Sequence, residues 1–167
     1  MTSLLDEAIE AWEDARNGVI AELENIPANR VDTAVAAGAR SVGELALHIA
    51  EVGLMMAGEL TRGDGDFRRA PYDKLIAEYR APLDGVSGKR EVVAALKRTL
   101  KDGVRAVRAA GELHMLGPIR RFDGETGTRF AWMQHGIAHE EYHRGQIAMC
   151  ARMMGLKPAL TKLIEGG

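Results

Sequence analysis

The sequence predicts an all-α fold, a four-helix bundle, on three observations. Four long segments each carry apolar residues at helical spacing. No segment of useful length alternates with the period of two that marks a strand. Composition favours helix as well: Ala, Leu, Glu and Arg are common, while aromatics make up 5% and there are five prolines. At 167 residues the chain is expected to form a single domain, 1–167, with a full core.

The first helix is expected over about 4–26. Leu5, Trp12, Val19 and Ile26 recur every seven residues, with Ala8, Ile9, Ala15 and Leu23 between them, and Pro27 stops it. Ser41 and Glu44 form the S-x-x-E pattern of a capping box and open a second helix. Its buried face should hold Leu45, His48, Ile49, Val52, Met55, Met56 and Leu60, and TRGDGD (61–66) ends it. Residues 63–87 form a long connection with a short extra helix after Pro71, YDKLIAEYR. Ser87 and Gly88 precede a third helix, about 89–110, striped by Val93, Leu96, Leu100, Val104 and Val107. Gly111 to Gly127 reads as a loop. A fourth helix runs from about Thr128 to Met154, with Gly155 at its C-cap and Pro158 beyond. The connections at 27–40, 63–87 and 111–127 exceed the tight turns of an up-and-down bundle, so crossover topologies are open.

A formal net charge of −2 gives no basic signal for nucleic acid. No apolar run approaches the roughly 20 residues needed to span a bilayer. The start, MTSLLDEAIEAWEDAR, is acidic and amphipathic and lacks the pattern of a signal peptide. Cys150 is the single cysteine, which excludes an intrachain disulfide and fits a reducing cytoplasm.

The chemistry gathers in HGIAHEEYHRGQI (135–147), which holds three of the five histidines. His135, His139 and His143 each advance about 40° around the helix. Residues at i and i+4 lie one above the other, so His139 and His143 can reach one metal ion. His135 lies about 12 Å from His143 along the axis, too far to join them. A third ligand must come from elsewhere. His48 lies among residues expected to face the core, where a histidine without partners is costly. It either bonds a buried polar neighbour or binds the metal. His114 reads as a surface residue.

HEEYH also matches H-E-x-x-H, in which Glu140 would be the base of a zinc protease. That reading needs a downstream carboxylate, and only Glu165 remains after Glu141. It also calls for a substrate-edge strand, which the sequence does not show. Glu140 and Glu141 are better read as a solvated helix face.

HEEYHRGQIAMCARMMG resembles the C-terminal signature of the DinB-like (DinB/YfiT) superfamily, H-x-x-x-H-R-G-Q-I, and SVGELALHIAEV resembles that family's second-helix histidine segment. The two segments stand in the family's order and spacing. The resemblance implies an up-down-down-up bundle, commonly a homodimer, with a divalent metal held by three histidines. Matched position by position, these are His48, His139 and His143. His135 falls where many relatives also carry histidine, outside the ligand set. Some relatives are thiol-dependent transferases or isomerases using low-molecular-weight thiols, and others carry only the description of metal-dependent hydrolases.

Three neutral imidazoles leave the ion's charge intact and positions open for water or substrate, as in catalytic sites. The ion expected is zinc or nickel, with iron or manganese also compatible. The partner expected is a small-molecule substrate, with no nucleic acid and no membrane. Glu51 is a candidate carboxylate behind His48 or a base, and otherwise an ordinary surface glutamate. His135 is a candidate catalytic group beside the site, and otherwise a solvent-facing helix residue. Arg144 can hold a substrate carboxylate or make an exposed salt bridge, and Gln146 matches the family motif. Gly145 in mid-helix suggests a close helix approach. Cys150, Met55, Met56, Met149, Met153 and Met154 read as core, and Trp12 and Trp132 as bundle packing, with Trp132 near the site. Besides the enzyme, two alternatives are open: a non-catalytic metal- or ligand-binding bundle, and the H-E-x-x-H protease.

Overall fold

A computed structural model describes residues 3–166. Helices α1 (Leu4–Asn25), α2 (Val42–Thr61), α3 (Tyr72–Arg80), α4 (Gly88–Ala110), α5 (Glu112–Leu116), α6 (Arg129–Met153) and α7 (Ala159–Glu165) are joined by one small hairpin, β1 (Pro118–Arg120) and β2 (Thr126–Thr128). The four long helices stand where the apolar stripes place them, and α3 is the short helix after Pro71. Among the described residues no helix is long and apolar enough to cross a membrane.

Helix directions follow from two core clusters. One gathers Leu5 and Ile9 from the start of α1, Leu60 from the end of α2, Val107 from the end of α4 and Met133 from the start of α6. The other gathers Leu23 from the end of α1, Val42 from the start of α2, Val92 from the start of α4 and Ile147 from the end of α6. The order is therefore up, down, down, up. Because α2 and α4 run parallel, residues 62–87 must travel back along the bundle, and α3 packs on α2 on the way, through Leu75 against Val52 and Met55.

Caps follow the sequence. Ser41 Oγ accepts from Glu44 N–H (3.2 Å) and Glu44 Oε2 accepts from Ser41 N–H (2.7 Å), the expected capping box. Gly155, at φ 76°, ends α6, and Leu156 N–H reaches back to Ala151 O at 2.9 Å.

Several readings need correction. Residues 111–127 are not a plain loop: they hold α5 and the hairpin, whose three-residue strands are too short to show a period of two. Arg120 N–H donates to Gly65 O (2.7 Å), so the hairpin pins the start of the 62–87 connection. His114 is half-buried rather than on the surface, with Nε2 3.0 Å from Leu60 O at the end of α2. Gly145 has open space where a Cβ would stand, so no helix approaches it. The close approach is at Gly136, where Met56 fills that place. Met149 and Met153 are 55% and 59% exposed, not core. Glu140 is 1% exposed, not solvated; Glu141, its neighbour, is exposed as expected.

Candidate metal centre

The burial of Glu140 has a partner in α1. Arg16, fully buried, clasps it twice, Nε to Oε2 at 2.7 Å and Nη2 to Oε1 at 2.6 Å. Trp12 Nε1–H donates to the same Oε1 at 2.6 Å. Arg16 Nη1 donates to Leu96 O and Thr99 Oγ1 of α4, both at 2.9 Å. Gly53 of α2 makes room for the guanidinium, since a Cβ there would lie 2.5 Å from Arg16 Nη2. All four long helices therefore meet at this pair, which sets the rotation of α6 next to His139. Both oxygens of Glu140 are committed, so it is not available as a protease base. Glu165 pairs with Lys157 in the tail.

With α6 so rotated, His139 and His143 face His48 of α2. His139 Nε2 lies 3.3 Å from His48 Nε2 and 3.1 Å from His143 Nε2, and one ligand atom from each falls within 4.8 Å of the others. Two nitrogens bound to one zinc at ~2.0–2.1 Å in tetrahedral geometry stand about 3.3 Å apart. The donor chemistry agrees. His143 Nδ1 is 2.7 Å from Gln146 Oε1, which fixes its proton there and leaves the Nε2 lone pair facing inward. With the His143 Nε2 lone pair facing inward, His139 Nε2 can share a proton with only one of its two neighbours, so at least one of these contacts is not a hydrogen bond, whereas a cation between the rings would satisfy all three nitrogens. Burial first, then the Arg40 and His143 charges, push His48 down to about 4. His139 is pushed down to about 4 by burial first, then by His143, His48 and Arg40. Both are neutral near pH 7, the state a metal needs.

Glu51 Oε2 stands 3.7 Å from His48 Nδ1, and Glu51 Oε1 is 3.2 Å from Arg80 Nε. This glutamate is mostly buried rather than an open-surface residue, its side chain 14% exposed. His139 Nδ1 is buried without a partner among the described residues. His135 is exposed, one turn before His139, its ring 4.7 Å from that of Trp132. Arg144 lies along Gly18 of α1 and pairs with Glu141 at 3.0 Å, the salt bridge of its two readings.

Three clefts open on the histidines. His143 borders an apolar groove of about 430 Å³ with Leu45, Tyr142, Met149, Cys150 and Met153. His48 borders a polar cleft of about 230 Å³ with Glu44, Glu51 and Arg80. His139 and His135 border an aromatic cleft of about 150 Å³ with Phe67, Tyr72, Phe122 and Trp132. Sequence reasoning named His48, Glu51, His135, His139 and His143, and missed Arg16, the Phe67–Phe122 wall and Arg40. No local pattern marks these, because they come from the first helix and from connections.

A four-helix bundle with this helix order and three histidines from its second and last long helices defines a class of protein, and the comparisons agree with it. The DinB family model matches residues 1–165, and the chain belongs to the DinB family. Among solved structures it is similar to the DinB-like protein YjoA from Bacillus subtilis, 19% identical, with a TM-score of 0.67, covering 89% of this chain and 92% of that one. It is also similar to YfiT from Bacillus subtilis, described as a probable metal-dependent hydrolase with an unusual four-helix bundle topology. YfiT is 16% identical, with a TM-score of 0.70, covering 94% of this chain and 92% of that one. Comparison with curated proteins finds no match.

Proposed function

We propose that the chain is a metal-dependent enzyme of hydrolase or thiol S-transferase type, holding one divalent ion through His48, His139 and His143. The observation that supports this most is the convergence of three Nε2 atoms, at 3.1 and 3.3 Å, with too few protons to satisfy one another. The description of YfiT as a probable metal-dependent hydrolase supports the hydrolytic arm. Imidazole donors favour zinc or nickel, with iron and manganese compatible. When bound, the ion supplies Lewis acidity that lowers the pKa of a water or thiol.

The chain's own groups do the rest. Gln146 Oε1 takes the Nδ1–H of His143 and keeps its Nε2 open. Glu51, held by Arg80, offers a carboxylate oxygen to a proton in the polar cleft beside His48. His135, seated on Trp132, gives or takes a proton at a ring nitrogen at the mouth of the aromatic cleft. The apolar walls of the groove and the aromatic cleft would displace water from two sides of the imidazoles once a substrate fills them.

Protein purified without a nickel resin, loaded with zinc or nickel and desalted should retain one equivalent. His48→Ala should lose it and Glu165→Ala should keep it; a fully loaded His48→Ala protein overturns the reading. Ester-hydrolysis and thiol-transfer panels then choose between the two arms. A loaded protein silent in both favours the binding module over the enzyme.

A further inference from the structure

We propose that the groove beside His143 binds the hydrocarbon part of a small monocarboxylate, and that Arg40 holds its carboxylate. This deepens the proposed function and rests on it for the chemistry that follows binding, though not for the binding itself.

Arg40 precedes α2 and lines both the apolar groove and the polar cleft of His48, so it stands where the two open toward the imidazoles. It makes no ion pair or side-chain hydrogen bond among the described residues, whereas Arg80, across the polar cleft, is taken by Glu51. No acidic residue lines the groove. Its one permanent charge is therefore a guanidinium beside neutral imidazoles, and a bound cation would add to that sign. A guanidinium matches a carboxylate in a two-point fork, and a single one balances a single negative charge. The walls match the other end of such a molecule. Met149 and Met153, on successive turns of α6, are exposed although apolar, and Tyr142 beside them is 65% exposed. Leu45 and Cys150 form a buried floor. Methionine side chains are unbranched and adaptable, so they close over tails of differing shape. The volume of about 430 Å³ is that of a small-molecule site.

The test uses octanoate, with octanol and acetate as controls, on the metal-loaded and the metal-free full chain. Calorimetry measures affinity, and spectra of ¹³C-methyl methionine report the groove. Octanoate should bind and shift the Met149 and Met153 methyls. Affinity should rise two- to about fourfold per methylene from butanoate to octanoate. Arg40→Gln should weaken octanoate about tenfold without changing octanol binding, and Met149→Gln should reduce the chain-length dependence. Octanol binding as tightly as octanoate, unchanged affinity in Arg40→Gln, or binding that leaves both methyls unshifted would each overturn the proposal. Metal uptake is read separately. A chain that takes up no ion yet binds octanoate through Arg40 sinks the enzyme reading alone.

Discussion

His48 and His139 are poised by their surroundings rather than by their type. Burial holds both near 4 against an ordinary 6.5, so in the folded chain they stay neutral where the unfolded chain already takes up protons. Their contribution to stability is complete above pH 6.5 and is lost as pH falls from 6.5 toward 4. Urea midpoints of the metal-free protein should therefore drop across that window, and replacing both residues with Gln should flatten the drop. An equal slope in the variant would place the acid sensitivity elsewhere. Gln146 borders the groove and holds His143, its Oε1 2.7 Å from His143 Nδ1. Gln146→Leu should weaken metal binding about ten- to a hundredfold, with the fold retained, as removing such an acceptor commonly does. Competition with a chelator reads that change directly.

At the scale of elements, α6 is the helix whose rotation matters, and the Arg16–Glu140 pair sets it. Removing one partner leaves a buried charge alone, so Arg16→Ala should cost about 3–5 kcal/mol in urea unfolding. The double change Arg16→Met with Glu140→Leu removes both charges and should cost less, about 1–3 kcal/mol, the loss that remains because Trp12 Nε1–H keeps no acceptor. If both variants lose the same stability, the pair is not what holds the helix. The Ser41–Glu44 box sets the start of α2, seven residues before His48, and Ser41→Ala should cost about 1 kcal/mol.

On the scale of the whole molecule, the three imidazoles tie the middle of α2 to α6, two helices that run antiparallel and lie far apart in sequence. An ion bound there binds only the folded chain. Metal at a hundredfold over its dissociation constant should add about 2.7 kcal/mol, seen as a higher Tm that a chelator reverses. His48→Ala should abolish that rise while leaving the metal-free Tm within a few degrees.

The sequence by itself determined the four long helices, the caps at Ser41 and Gly155, and the spacing that sets His139 over His143. Each of these rests on residues within one or two turns, where the backbone period alone decides which side chains are neighbours. It also marked His48, because a histidine in an apolar stripe needs a partner. Tertiary structure decided the rest. Glu140 is buried because Arg16, 124 positions away, satisfies it, and nothing in HEEYH announces that. Met149 and Met153 share the apolar character of core residues, yet they line an open groove, since α6 has neighbours on only part of its circumference. The parallel course of α2 and α4 followed from no stripe; the resemblance of the two histidine segments implied it, and the packing of the helix ends bears it out. Which face of a helix is buried, and what meets it, is a property of the assembled bundle, and that property converts three scattered histidines into one site.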